Sequence, residues 1–237
     1  MYAREIEGRE LTFGVSGKLI MNALVMYDRQ TDSLWSQFLG VAVDGEFSGT
    51  RLEPLASTLT SWVTWKSLHP DTLVLDQGGE RFDPYSRYYL DSSAGVLGER
   101  FSDDRLGTKE FVLGVQLEDG LQAYAFRHLS VHPVVNDRVG STDLAVFFDG
   151  RQGTVAAWDR NVEGQLLTFS AAEGVAPDGG PAVVDEQTGT TWSALGGTAF
   201  AGELTGTQLR QVTATPMFWF AWTDFFPSAP LWEPPSN

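Results

Sequence analysis

The sequence predicts a mainly β protein, β-rich with a short helix per repeat, made by internal duplication into two pseudo-symmetric lobes. Three observations carry this. A long stretch of the chain occurs twice. Its 25 glycines separate short apolar runs, the pattern of many strands joined by turns. And the alternating apolar pattern gives way to a three-residue spacing once in each copy, beside a pair of tryptophans.

The duplicated stretch runs from Asp28 to Pro70 and again from Asp185 to Pro227. Trp35, Gly45, Gly49, Trp62, Trp65 and Pro70 recur without a gap as Trp192, Gly202, Gly206, Trp219, Trp222 and Pro227. The front of each copy matches as well, REIEGRELTF from Arg4 to Phe13 against RNVEGQLLTF from Arg160 to Phe169, with one residue inserted between the blocks of the second copy. In order along the first copy, the E-G dipeptide reads as a tight turn feeding a half-buried strand. Lys18–Tyr27 and Leu34–Val43 read as strands, and Gly45 and Gly49 punctuate a hairpin or bulge.

Trp62, Trp65 and Leu68 then lie three apart on one face of a short helix. Thr60 or Ser61 caps it and Pro70 stops it. In the second copy Pro216 takes a first-turn position and Pro227 follows the end. Between the copies, 76–104 reads as a long ordered loop. Lys109–Glu118 and Leu121–Phe126 form a hairpin about Asp119-Gly120. Asp143–Phe148 and Thr154–Trp158 are strands leading into the second copy, and Asn136-Asp137 ends a strand. The divisions expected are a first lobe over 1–75, a central insert and hairpin over 76–140, and a second lobe over 141–237. The first lobe lacks most of the second's leading hairpin, so Met1–Ala3 is expected to be the remnant of a strand, or the chain to be trimmed.

Composition bounds the function. With 16 Lys+Arg against 31 Asp+Glu the net charge is −15; such a surface repels phosphate backbones, which argues against nucleic acid and anionic membranes as partners. The absence of cysteine removes disulfides, thiolate metal sites and a cysteine nucleophile. No apolar run approaches the roughly 20 residues of a membrane helix, and MYAREIEGRELTF has no signal-peptide pattern. There is no phosphate loop and no dinucleotide fingerprint.

Candidate residues are sought where the copies disagree, because residues common to both serve the shared fold. His69, where the second copy has Phe226, suits a general base or metal ligand, or a helix C-terminal histidine meeting the last carbonyls. Arg29 stands opposite Glu186 and can bind a carboxylate or pair on the surface. Ser16, in Gly14-Val15-Ser16-Gly17, is a candidate nucleophile, although Lys18 occupies a glycine position of the hydrolase elbow. His128 and His132 have a spacing that can bind a metal but lack the H-E-x-x-H glutamate, so no metal is assigned and no cofactor is indicated. In the unduplicated insert, Tyr85, Arg87, Tyr88, Arg105 and Lys109 combine aromatic faces with charges suited to a sugar or other small polar ligand; the same residues can equally pin a long loop.

Beyond these patterns, LTFGVSGKLIMNALVMYDRQTDSLWSQFLGVAVDG, GTRLEPL, WVTWKSLHPDT, FWFAWTDFFP, DDRLGTKEFVLGV, AYAF and VVND resemble the family called domain of unknown function 3179, across almost the whole chain. The resemblance implies an extracytoplasmic or cell-surface setting, since many members are bacterial or archaeal proteins predicted to be exported. Many also carry a C-P-x-C-type segment just before the position of Met1, which this sequence does not show. Three functions follow as expectations. The first is a ligand-binding protein with its site between the repeats and the aromatic insert. The second is a hydrolase using His69 with Ser16 or a carboxylate. The third is a structural module that self-associates through an exposed sheet edge.

Overall fold

The computed structural model describes residues 1–74, 76, 78 and 86–235, with Ser86 described by its backbone alone. The chain opens on a two-residue hairpin, β1 (Glu5–Ile6) and β2 (Arg9–Glu10), turned by Glu7 and Gly8 at φ 51° and 74°. Positive φ at both central residues is the hairpin geometry that matches the twist of paired strands. β3 (Phe13–Ile20), β4 (Ala23–Asp28), β5 (Leu34–Ser36) and β6 (Val41–Asp44) follow as an antiparallel meander. Two expectations change here. Lys18–Tyr27 is not one strand, because Met21 and Asn22 turn it at φ 48° and 64°. Leu34–Val43 is also two strands, divided by a turn ending at Gly40, φ 63°.

The first helix, α1 (Trp62–Leu68), starts where the Ser61 hydroxyl accepts from the Thr64 N–H at 3.2 Å, and ends where the His69 N–H donates to Trp65 O. A second helix, α2 (Ser86–Leu90), stands in the stretch that the sequence reads as loop. The expected hairpin is β7 (Phe111–Gln116) and β8 (Leu121–Ala125), running directly into α3 (Phe126–Leu129). β9 (Val134–Val139), β10 (Thr142–Asp149) and β11 (Thr154–Asp159) form an antiparallel sheet with β10 in the centre. Asn136 and Asp137 therefore lie inside a strand, opposite Ala145 and Leu144, rather than at its end.

The pattern of the amino-terminal part then recurs. β12 (Asn161–Val162) and β13 (Gln165–Leu166) pair about Glu163 and Gly164, φ 52° and 85°. β14 (Phe169–Val175), β15 (Pro181–Asp185), β16 (Thr191–Ser193) and β17 (Ala199–Ala201) form a second meander. β18 (Ala214–Phe218) joins the edge of the β7–β8 sheet and leads into α4 (Trp219–Phe225). Pro216 is thus in an edge strand, where its missing N–H is tolerated, and not in the first turn of the helix.

The two meanders share a register. Trp35 faces Met26 and Ala42, and Trp192 faces Val183 and Ala199. The Ala3 N–H donates to Glu53 O and the Leu55 N–H to Met1 O, as the Asp159 N–H does to Arg210 O and the Val212 N–H to Ala157 O. Met1–Ala3 is therefore hydrogen-bonded as the end of β11 is.

The chain forms two compact units. One comprises 1–56, 91–109 and 218–228; the other comprises 57–90, 110–217 and 229–237. The helix following each meander consequently belongs to the unit of the other meander. In the first unit Ile6, Leu11, Trp35, Ala42, Phe47 and Leu52 form the core, with Phe13 edge-on to Trp35 at 5.8 Å. In the second, β10 is buried on both faces. Leu144, Val146 and Phe148 pack with Leu113 and Tyr124, and Ala145 and Phe147 pack with Phe169 and Trp192. That is the period-two alternation of a strand between two layers.

Candidate functional site

The sequence candidates are first accounted for by where their own elements put them. Ser16 lies where the β3–β4 register shifts, between Val15 and Leu19. Its hydroxyl donates to Val25 O at 2.6 Å and accepts from the Lys18 N–H at 3.1 Å. Both bonds close the bulge, so the hydroxyl serves main-chain groups that a shifted ladder leaves unpaired. Arg29 donates to Phe13 O and its guanidinium stands 5.6 Å from the centre of the Tyr27 ring. His69 is exposed at the end of α1 with its imidazole against the Trp65 ring, centroids 4.1 Å apart. Ser16 and Arg29 belong to one unit and His69 to the other; the partners of each are main chain and aromatic rings, not one another.

His128 and His132 flank the carboxy-terminal Trp232, whose ring centre is 6.4 and 6.0 Å from theirs. The His128 Nδ1 is 3.1 Å from Trp232 O, and its Nε2 accepts from Arg127 Nε at 3.2 Å. This pair fixes the tautomer with hydrogen on Nδ1. Arg127 in turn meets Glu110 at 3.3 Å. Among the described residues no group of three or more histidine, aspartate or glutamate side chains is placed to hold a metal ion, and no helix is long and apolar enough to cross a membrane.

The insert residues fall into two groups. Tyr85 lies outside the described residues. Arg87, Tyr88 and Tyr89 are carried by α2, with Arg87 and Tyr89 exposed and the two tyrosine rings edge to face at 6.2 Å. Arg105 and Lys109 belong to the other unit. The Arg105 guanidinium grips the Asp103 carboxylate and covers the Trp219 ring at 5.1 Å. The Trp219 indole N–H donates to Asp103 O at 3.1 Å and the Phe220 N–H to Thr108 O at 3.0 Å. Lys109 Nζ meets Asp91 at 2.9 Å. Residues 91–109 are in this way fastened over α4.

These contacts hold carboxylates in their charged form. A hydrogen bond from the Ser93 hydroxyl, then one from Lys109, lowers the Asp91 carboxyl to about 2. The Arg105 guanidinium beside Asp103 lowers that carboxyl too, against the effect of burial.

Buried carboxylates of two kinds escaped the sequence reading, one of them present in both meanders. Asp28 is fully buried and accepts from the Thr31 N–H at 2.7 Å and the Trp35 indole N–H at 2.9 Å. Burial pushes its carboxyl up, but the bonds from Trp35 and Thr31 outweigh this and the net shift is downward. Asp185 likewise accepts from the Thr188 N–H and the Trp192 indole N–H, at 2.6 and 2.9 Å. The repeated D-x-x-T-x-[ST]-x-W spacing was the available signal. The other is Asp224, 1% exposed on α4, whose Oδ1 accepts from the Arg100 and Phe101 N–H groups at 2.6 and 3.0 Å. Its Oδ2 and the Trp222 indole nitrogen have no partner among the described residues. Here the signal was a mismatch between the two similar stretches, since Ser67 stands at the matching position. Finally the buried Tyr124 donates to Asp137 at 2.8 Å; desolvation, then the Asp137 charge, raises its phenol far above the ordinary range.

No curated protein and no solved structure matches the chain significantly. A family model described as protein of unknown function (DUF3179) matches residues 1–229 of the 237. That match takes in both meanders, the segment fastened over α4 and α4 itself, and the chain belongs to this family.

Proposed function

We propose that the chain is a non-catalytic binding protein of the cell surface or extracytoplasmic space, taking a small polar ligand, carbohydrate in class, against α2. The observation carrying this is the pairing on one five-residue helix of an exposed arginine, Arg87, with the edge-to-face Tyr88 and Tyr89 rings. Aromatic faces take up the apolar face of a sugar ring, and a guanidinium fork suits its hydroxyl or carboxylate groups. Ser16 supports the same reading from the other side, because its hydroxyl is engaged with main chain. The two meanders are read as copies of one scaffold, the duplication being the source of the shared register. The exported setting rests on the family resemblance.

The test is a saturation-transfer NMR screen of neutral and acidic oligosaccharides, repeated with Arg87→Ala and Tyr89→Ala. Saturable binding that weakens about tenfold in both variants, with unchanged melting, is the expected result. The proposal fails if nothing in the panel binds, or if an activated ester is hydrolysed by the chain and not by His69→Ala.

A further inference from the structure

The chain contains the same tryptophan-bearing helix twice, once covered and once open. α1 and α4 span corresponding positions, and both end on the same backbone geometry, φ −133° and ψ 74° at His69 against −129° and 70° at Phe226. On α4, Trp219 and Phe220 are 1% and 3% exposed, because residues 91–109 lie over them. On α1 the corresponding Trp62 and Val63 are 50% and 72% exposed, and Leu59, just before the helix, is 46% exposed. The Trp62 indole N–H has no acceptor among the described residues, whereas that of Trp219 donates to Asp103 O under the Arg105 guanidinium.

We propose that the Trp62 face of α1 is a docking site for a short polypeptide turn from a partner protein. The turn offers a main-chain carbonyl to the indole N–H and, two residues later, an arginine to the indole face. Asp103 and Arg105 display that chemistry on α4. The partner is cationic at the point of contact, which a chain of net charge −15 favours. Tryptophan is the ring that holds a cation best and arginine the cation found there most often, and both are among the residues that most often dominate binding energy at interfaces. The remainder of the α4 contact is not reproduced. Asp224, which receives two main-chain donors, is replaced by Ser67, whose hydroxyl donates to Asp178 O at 2.7 Å. The docked segment is therefore shorter than 91–109 and centred on Trp62.

The probe is a synthetic peptide with blocked ends carrying residues 100–109, titrated into the full chain while the tryptophan indole N–H signals are followed by NMR. The expected result is a saturable shift of the Trp62 signal. It weakens at least tenfold when the peptide carries R105A, and the broadening of the labelled peptide's own Arg105 signals on adding the chain is lost with Trp62→Ala, which folds because that side chain is half exposed. A Trp62 signal that stays still at millimolar peptide overturns the proposal, as does one that moves equally with the R105A peptide. Sedimentation of the chain alone guards against another occupant: a concentration-dependent dimer lost in Trp62→Ala assigns the face to a second copy and also overturns it.

Discussion

Replacing Asp28 by alanine removes the acceptor for two donors at once, the buried Trp35 indole and the part-buried Thr31 main chain. The Thr31 N–H and the Trp35 indole N–H both end on this carboxylate, at 2.7 and 2.9 Å, and Asp28 and Trp35 are both 0% exposed, so water cannot take its place at the indole without opening the fold. The Thr31 hydroxyl keeps a second neighbour in Ser33 at 2.7 Å and so loses little. A buried donor without a partner costs about 1–3 kcal/mol and a part-buried one, which water can reach, about 1 kcal/mol or less, so Asp28→Ala is expected to destabilise its unit by about 1–4 kcal/mol. Asparagine keeps one oxygen and turns an amide nitrogen toward the other donor, losing about half as much. Asp185→Ala repeats the experiment at Thr188 and Trp192 in the other unit.

Two units need not unfold in one step, so the assay is native-state hydrogen exchange alongside urea unfolding. Asp28→Ala should lower amide protection over β3 to β6, and Asp185→Ala over β14 to β17. A loss below about 1 kcal/mol, or protection lost in the other meander, would refute the assignment of these carboxylates as the acceptors that hold each tryptophan.

Three further outcomes are expected. A Cβ at Gly45 would lie 2.6 Å from the Ser33 Cα, whereas at Gly49, with a similar φ of +89°, it meets nothing within 4 Å. Gly49→Ala should therefore cost about 1–2 kcal/mol from backbone alone, and Gly45→Ala about 1–3 kcal/mol more from the clash, as read by urea midpoints. Trp219→Ala should cost about 3–5 kcal/mol and Trp62→Ala less than about 1 kcal/mol in the same measurement. Because the folded Asp28 carboxyl is lowered, its contribution is complete above the unfolded value of about 3.9 and is lost as pH falls through the folded value. Carboxyl carbon titration should find Asp28 below its ordinary midpoint and Asp91 at about 2, with Ser93→Ala raising Asp91; ordinary midpoints at both would refute these contacts.

Much of the fold was legible because local chemistry and tertiary structure agree there. The E-G dipeptides turn β1 into β2 and β12 into β13, Ser61 caps α1, and Asp119-Gly120 turns β7 into β8. The failures fall where a local signal was weak or was overridden. Methionine has no preference for positive φ, so the turn at Met21-Asn22 was hidden inside an apolar run. The second meander carries a plainer signal at the matching point, Asp178-Gly179, and setting the two similar stretches side by side reveals it. Pro216 and Asn136-Asp137 were read by their usual local roles, but an edge strand accepts the first. In β9, Asn136 pairs its side-chain amide with both main-chain groups of Phe169, at 2.8 Å each.

The candidate site was less legible for a related reason. Whether a tryptophan on a short helix is core or surface depends on what lies over it, and the helical spacing of Trp62, Trp65 and Leu68 is silent about that. Trp219 became core because residues 91–109, far away in sequence, bring Asp103 and Arg105 onto it; Trp62 kept the same spacing and stayed half exposed. Seeking function where the copies differ in residue type selected His69 and Arg29, whose partners turn out to be an aromatic ring and a carbonyl. Asp224 against Ser67 was the more informative difference, because it marks the helix that receives main-chain donors. Matching positions can also differ in environment while keeping the residue, as Trp62 and Trp219 do. On the docking proposal above, Trp62 keeps the shape and the indole N–H that Trp219 offers to Asp103 and Arg105, so a matched pair of residues is as useful a pointer to a binding surface as a mismatched one.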